Sequence, residues 1–85
     1  MMIYLVIIED RHMDTEVLLF STLEMAMANA QQYLETFPNR AESVRPEDAR
    51  MSEEDLAEAG WLFFECYSTE GDCVRIMPRE LDAQV

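Results

Sequence analysis

The sequence predicts a small single-domain α+β fold of order ββαββ. It implies a four-stranded antiparallel or mixed sheet, one main helix on one face, and a short accessory helix. Three observations carry this reading: an uncharged run at positions 1–8, helical apolar spacing over residues 23–37, and two aromatic or β-branched runs around a glycine turn.

Met1-Met2-Ile3-Tyr4-Leu5-Val6-Ile7-Ile8 carries no charge and no polar alternation. A strand of that kind buries both faces, so residues 2–8 are expected at the centre of the sheet. Eight residues are too few to span a membrane, and the run lacks the basic start and cleavage site of a signal peptide. Glu9-Asp10-Arg11-His12-Met13-Asp14 then interrupts with polar residues before Thr15-Glu16-Val17-Leu18-Leu19-Phe20. Two apolar runs around such an interruption read as an antiparallel hairpin with a longer loop.

Ser21-Thr22-Leu23-Glu24 has the pattern of a capping box, with Ser21 and Glu24 satisfying orphan amides reciprocally. The helix it opens places Leu23, Met27, Ala30 and Leu34 on one stripe, widened by Ala26, Tyr33 and Phe37. Pro38 is the expected stop. From Asn39 to Gly60 the chain is acidic and loop-like, and Glu42–Glu58 holds seven acidic and two basic residues. Within it, Ser52-Glu53-Glu54-Asp55 resembles a second helix start, with Leu56 and Ala59 packing inward and Gly60 as a left-handed stop.

Residues 61–67 and 73–77 form the last two strands, joined by Ser68-Thr69-Glu70-Gly71-Asp72. A bulged turn at Gly71 would set Ser68 against Asp72 and Glu65 against Arg75, an opposite-charge pair. That register, preferred here, puts Leu62, Phe64, Cys66, Val74 and Ile76 on one face and Trp61, Phe63, Tyr67 and Met77 on the other. Shifting it by one residue would bring Cys66 and Cys73 to the same face. Pro78 should end the strand, leaving a domain of residues 1–78 and a frayed tail at 79–85.

At 85 residues the chain buries only about 60–65% of its unfolded surface, so subunit association is a natural remedy for a thin core. One helix covers one face of a sheet whose strands are apolar on both. Tyr4, Trp61, Phe63, Tyr67 and Met77 are therefore the expected interface, most simply of a homodimer. The alternative is that residues 39–60 close over the second face.

Eighteen acidic residues face six basic ones, for a net charge of −12 and a pI near 4.1. Such a chain repels phosphate backbones, which argues against direct nucleic-acid or anionic-membrane binding and toward a protein partner, a basic one included. All six basic residues are Arg; Arg codons are GC-rich, which points to a GC-rich bacterial or phage genome. Two cysteines without a signal peptide point to a reducing cytoplasm.

The densest set of reactive side chains is Glu9, Asp10, His12 and Asp14, which could hold a divalent metal or pair a His base with a carboxylate. Their spacing matches no established ligand pattern, and turn chemistry accounts for the same residues, so neither a metal nor a cofactor is expected. Cys73 lies beside Glu70 and Asp72, which disfavour a thiolate and hence a nucleophile. No glycine-rich phosphate loop, nucleophile elbow or zinc pattern is present.

Three functional readings follow. The leading one is a non-enzymatic interaction module acting as a homodimer. A second is an acidic inhibitor or immunity protein in which Glu42, Glu47, Asp48, Glu53, Glu54, Asp55 and Glu58 imitate a nucleic-acid backbone toward a basic partner. The third is a small metal-dependent or acid–base enzyme using the 9–14 loop.

Overall fold

The computed structural model describes residues 1–37, 50–68 and 71–80. Four strands, β1 (Met2–Glu9), β2 (Glu16–Phe20), β3 (Phe63–Cys66) and β4 (Cys73–Glu80), and two helices, α1 (Leu23–Glu35) and α2 (Glu53–Ala59), follow one another as ββααββ. The sheet order is β2-β1-β4-β3, and every neighbouring pair is antiparallel. The first strand, uncharged through Ile8, is central, as its composition requires, between β2 and β4.

Register divides the side chains between two faces. Tyr4, Val6 and Ile8 lie beside Phe20, Leu18, Pro78, Ile76 and Val74 on the face that α1 covers. Val6, Ile8, Val74 and Ile76 are buried there with Ala26, Ala30 and Leu34 of α1 and with Tyr67. Each fully buried aliphatic side chain contributes about 2 kcal/mol. The small Ala26 and Ala30 let the helix approach the strands closely. Leu23, expected on that stripe, is the first residue of the helix and is 37% exposed.

Capping differs by one residue from the expectation. Thr22, not Ser21, is the α1 N-cap, and its Oγ1 accepts from the Met25 N–H at 3.2 Å. Met25 thus occupies the third helical position, and no reciprocal Glu box forms. α1 ends at Glu35 with Thr36 as its C-cap; Pro38, the expected stop, lies outside the described residues. α2 follows its expectation closely. Ser52 Oγ accepts from Asp55 N–H, and Gly60 adopts φ 77°, a left-handed value that glycine takes without a Cβ penalty. Trp61 N–H donates to Leu56 and Gly60 N–H to Ala57, which completes a Schellman stop. Leu56 is half-buried, but Ala59 is exposed, against the expectation that it packs inward.

The β3–β4 hairpin takes the other register. Glu65 opposes Val74, Phe64 opposes Arg75, and Cys66 opposes Cys73. The Tyr67 N–H bonds the Asp72 carbonyl at 3.0 Å, so Asp72 is paired with Tyr67 and not, as the bulged turn requires, with Ser68. Packing is the reason. This register sends Phe63 and Tyr67 to the helix side beside Val74 and Ile76, whose side is set by their pairing with β1, and that burial outweighs one ion pair.

β4 also runs through Pro78 to Glu80 instead of stopping, so Arg79 and Glu80 belong to the sheet and not to a tail. Residues 81–85 lie outside the described residues. The backbone amides of residues 72, 74 and 76 face β3, so position 78 faces the same way. β3 has already ended there, and the amide hydrogen that Pro78 lacks costs no ladder bond.

Candidate functional site

Two regions gather the chain's distinctive side chains: the sheet face opposite α1, and the end of the sheet where two loops meet. The open face alternates with the buried one. It carries Ile3, Leu5, Ile7 and Glu9 of β1, Val17 and Leu19 of β2, and Cys73, Arg75, Met77 and Arg79 of β4. Phe64 and Cys66 of β3 complete it. Ile7 and Cys73 are buried among their strand neighbours, whereas Val17 and Leu19 are 52% and 65% exposed. At one side Trp61 stacks on Phe64, with ring centroids 5.5 Å apart. The Arg75 guanidinium lies 5.1 Å from the Trp61 ring centroid and pairs with the Glu9 carboxylate. Among the described residues the charges on this face are therefore Glu9, Arg75 and Arg79, a net excess of one positive charge.

Of the five residues expected at an interface, the structure places Trp61 and Met77 with this open face. Tyr4 and Phe63 pack against the helix-side core, and Tyr67 is 5% exposed within it. The one-residue register shift moved the β3 residues. Tyr4 follows the parity of Val6 and Ile8. Sequence reasoning missed Ile3, Leu5, Val17 and Leu19. A signal for them existed: Val17-Leu18-Leu19-Phe20 is apolar at every position, so a strand with one covered face must show apolar side chains on the other.

The 9–14 and 68–72 loops converge at one end of the sheet. The Arg11 N–H donates to Asp72 Oδ1 at 2.8 Å, and Ser68 Oγ donates to Asp72 Oδ2 at 2.7 Å. Tyr67 Oη donates to Asp10 Oδ2 at 2.6 Å, while Asp10 Oδ1 accepts the His12 N–H. Tyr33 Oη lies 3.4 Å from the Tyr67 hydroxyl, and Phe37 stacks on the Tyr67 ring at 4.2 Å. The Tyr67 bond, then the His12 amide, lower the Asp10 pKa. Burial, then the bond to Asp10, push the Tyr67 phenol far up. At neutral pH Asp10 is thus a carboxylate and Tyr67 a phenol, and the proton between them stays on tyrosine.

That arrangement anchors the loop to the helix-side core. The four candidate catalytic residues are engaged separately: Glu9 by Arg75 on the open face, Asp10 by Tyr67, with His12 and Asp14 exposed in the loop and its continuation. Among the described residues, no group of three or more His, Cys, Asp or Glu side chains could hold a metal ion. Glu65, expected opposite Arg75, instead accepts from Arg50 Nε at 3.0 Å.

The acidic surface divides. Glu53, Glu54, Asp55 and Glu58 are exposed on α2, while Glu42, Glu47 and Asp48 lie outside the described residues. No described helix is long and apolar enough to cross a membrane. No family model, curated protein or solved structure matches the chain.

Proposed function

We propose that the chain is a non-enzymatic protein-interaction module that pairs with a second copy of itself through the open sheet face. The carrying observation is the contrast between that face and the whole chain. Ile3, Leu5, Val17, Leu19, Phe64 and Met77 form an apolar sheet surface on which the charges of the described residues sum to one positive, in a chain of net charge −12. Two such chains repel over most of their surfaces, and the exposed acids of α2 would oppose approach there. The open face is where they can meet with apolar contact and without stacking carboxylate on carboxylate. A two-fold pairing would set the same strands of each copy against one another.

Sedimentation velocity over a concentration series tests this. The unmodified chain should shift from monomer to dimer as concentration rises. Leu19→Arg, at a position 65% exposed in the monomer, should remain monomeric with an unchanged far-UV spectrum. A chain that stays monomeric throughout, or a Leu19→Arg variant that still dimerises, would remove the proposal.

A further inference from the structure

The structure brings the only two cysteines of the chain together as a cross-strand pair, Cys66 opposite Cys73, both free thiols. We propose that they form a reversible disulfide across the β3–β4 hairpin, by exchange with a low-molecular-weight disulfide of the glutathione type.

Ladder geometry supplies the argument. Tyr67 N–H bonds the Asp72 carbonyl, so the next pair inward, Cys66–Cys73, falls at a non-hydrogen-bonded position. Cα atoms there stand about 4.5 Å apart with their side chains at closest approach, inside the roughly 4.4–6.8 Å range that a disulfide spans. Both side chains project to the open face. The register that pairs them is pinned beyond the strands by Asp72, which accepts from Ser68 and from the Arg11 amide. Gly71 at φ 93° closes the loop. Covalent closure would tie the edge strand β3 to its neighbour without moving either.

The exchange balances. The Cys66 thiolate, at the less buried sulfur, attacks the small disulfide and releases one thiol, and Cys73 then attacks the mixed disulfide at Cys66 and releases the second. Two cysteine thiols are oxidised and one external disulfide is reduced to two thiols. Burial, with Glu65 and Asp72 nearby, holds the Cys66 thiol above its ordinary range. Burial, the neighbouring Cys66 and Glu9 push Cys73 up to about 11. Uncatalysed exchange is therefore slow, and equilibrium is the quantity to measure.

The full chain is equilibrated in glutathione buffers of graded ratio, native and in urea, then trapped with a maleimide and weighed intact. The native chain should lose two hydrogens, take up no maleimide and remain unlinked to other chains. Its midpoint should lie at a glutathione ratio roughly tenfold or more reducing than that of the urea-unfolded chain, because the fold presents the thiols to each other. Cys66→Ser should show no such protected species. Alkylation of both thiols at every ratio, equal midpoints in the two states, or protection arising only from mixed disulfides with glutathione would overturn the proposal.

Discussion

On the helix side of the sheet, Val6, Val74 and Ile76 have no solvent exposure, while on the opposite side Val17 and Leu19 keep half or more of theirs. The same strands supply both sets, at alternating positions. The two faces differ little in composition and greatly in what covers them. Ala26, Ala30 and Leu34 close one face; among the described residues, Trp61 stacked on Phe64, with Arg75 across it, shields only part of the other. Hydrophobicity alone thus does not identify a core. A core is the apolar face for which the chain also supplies a cover.

Substitutions should separate the faces by magnitude. Ile76→Ala opens a cavity beneath α1 and should cost about 3 kcal/mol in urea denaturation. The Leu19 side chain contributes little to the monomer, and its replacement should leave monomer stability within about 0.5 kcal/mol. Equal losses at the two positions would mean that the open face is covered in solution.

Tyr67→Phe tests the join between the covered face and the loop end. It removes the donor to a charged acceptor and should cost on the order of 1.5 kcal/mol at neutral pH. The sign with pH follows from Asp10, whose folded pKa lies below its ordinary value of 3.8. The Asp10 contribution is complete above that value and disappears as pH falls through the lower folded one. The difference between Tyr67→Phe and the unmodified chain should therefore hold from neutral pH to about 4 and shrink below it. A difference independent of pH would assign the loss to the contact with the Tyr33 hydroxyl instead.

The smallest effect concerns the start of the covering helix. Thr22→Ala should cost about 1 kcal/mol and Ser21→Ala nearly nothing, because Thr22 Oγ1 holds the Met25 amide. Thermal melts of both variants give the comparison, and the reverse order would restore the cap to Ser21.

Local chemistry explains what could be read without coordinates. An uncharged eight-residue run has nowhere to go but a central strand. The 3.6-residue spacing of Ala26, Ala30, Leu34 and their neighbours defines α1, and Ser52 with Gly60 brackets α2. Each of these signals lies within a dozen residues of chain. The site was harder. A one-residue difference in hairpin register exchanges the faces of Phe63, Phe64, Glu65 and Cys66. The preferred Glu65–Arg75 pair was a local gain. Burial of Phe63 and Tyr67 against the helix-side core was a larger, distant one, and it prevailed.

By itself, then, the sequence determined the identity and order of the strands and helices, the central place of β1, and the strongly acidic surface, because each depends on composition or short-range periodicity. Only the tertiary structure decided three other matters. It brought the 9–14 and 68–72 loops to one end, joined through Asp10, Tyr67 and Asp72. It set Cys66 against Cys73, and among the described residues it left Ile3, Leu5, Val17 and Leu19 on the sheet face opposite α1. Those outcomes rest on where residues far apart in the chain meet, and the energy that selects them is the burial of one whole sheet face against a single helix.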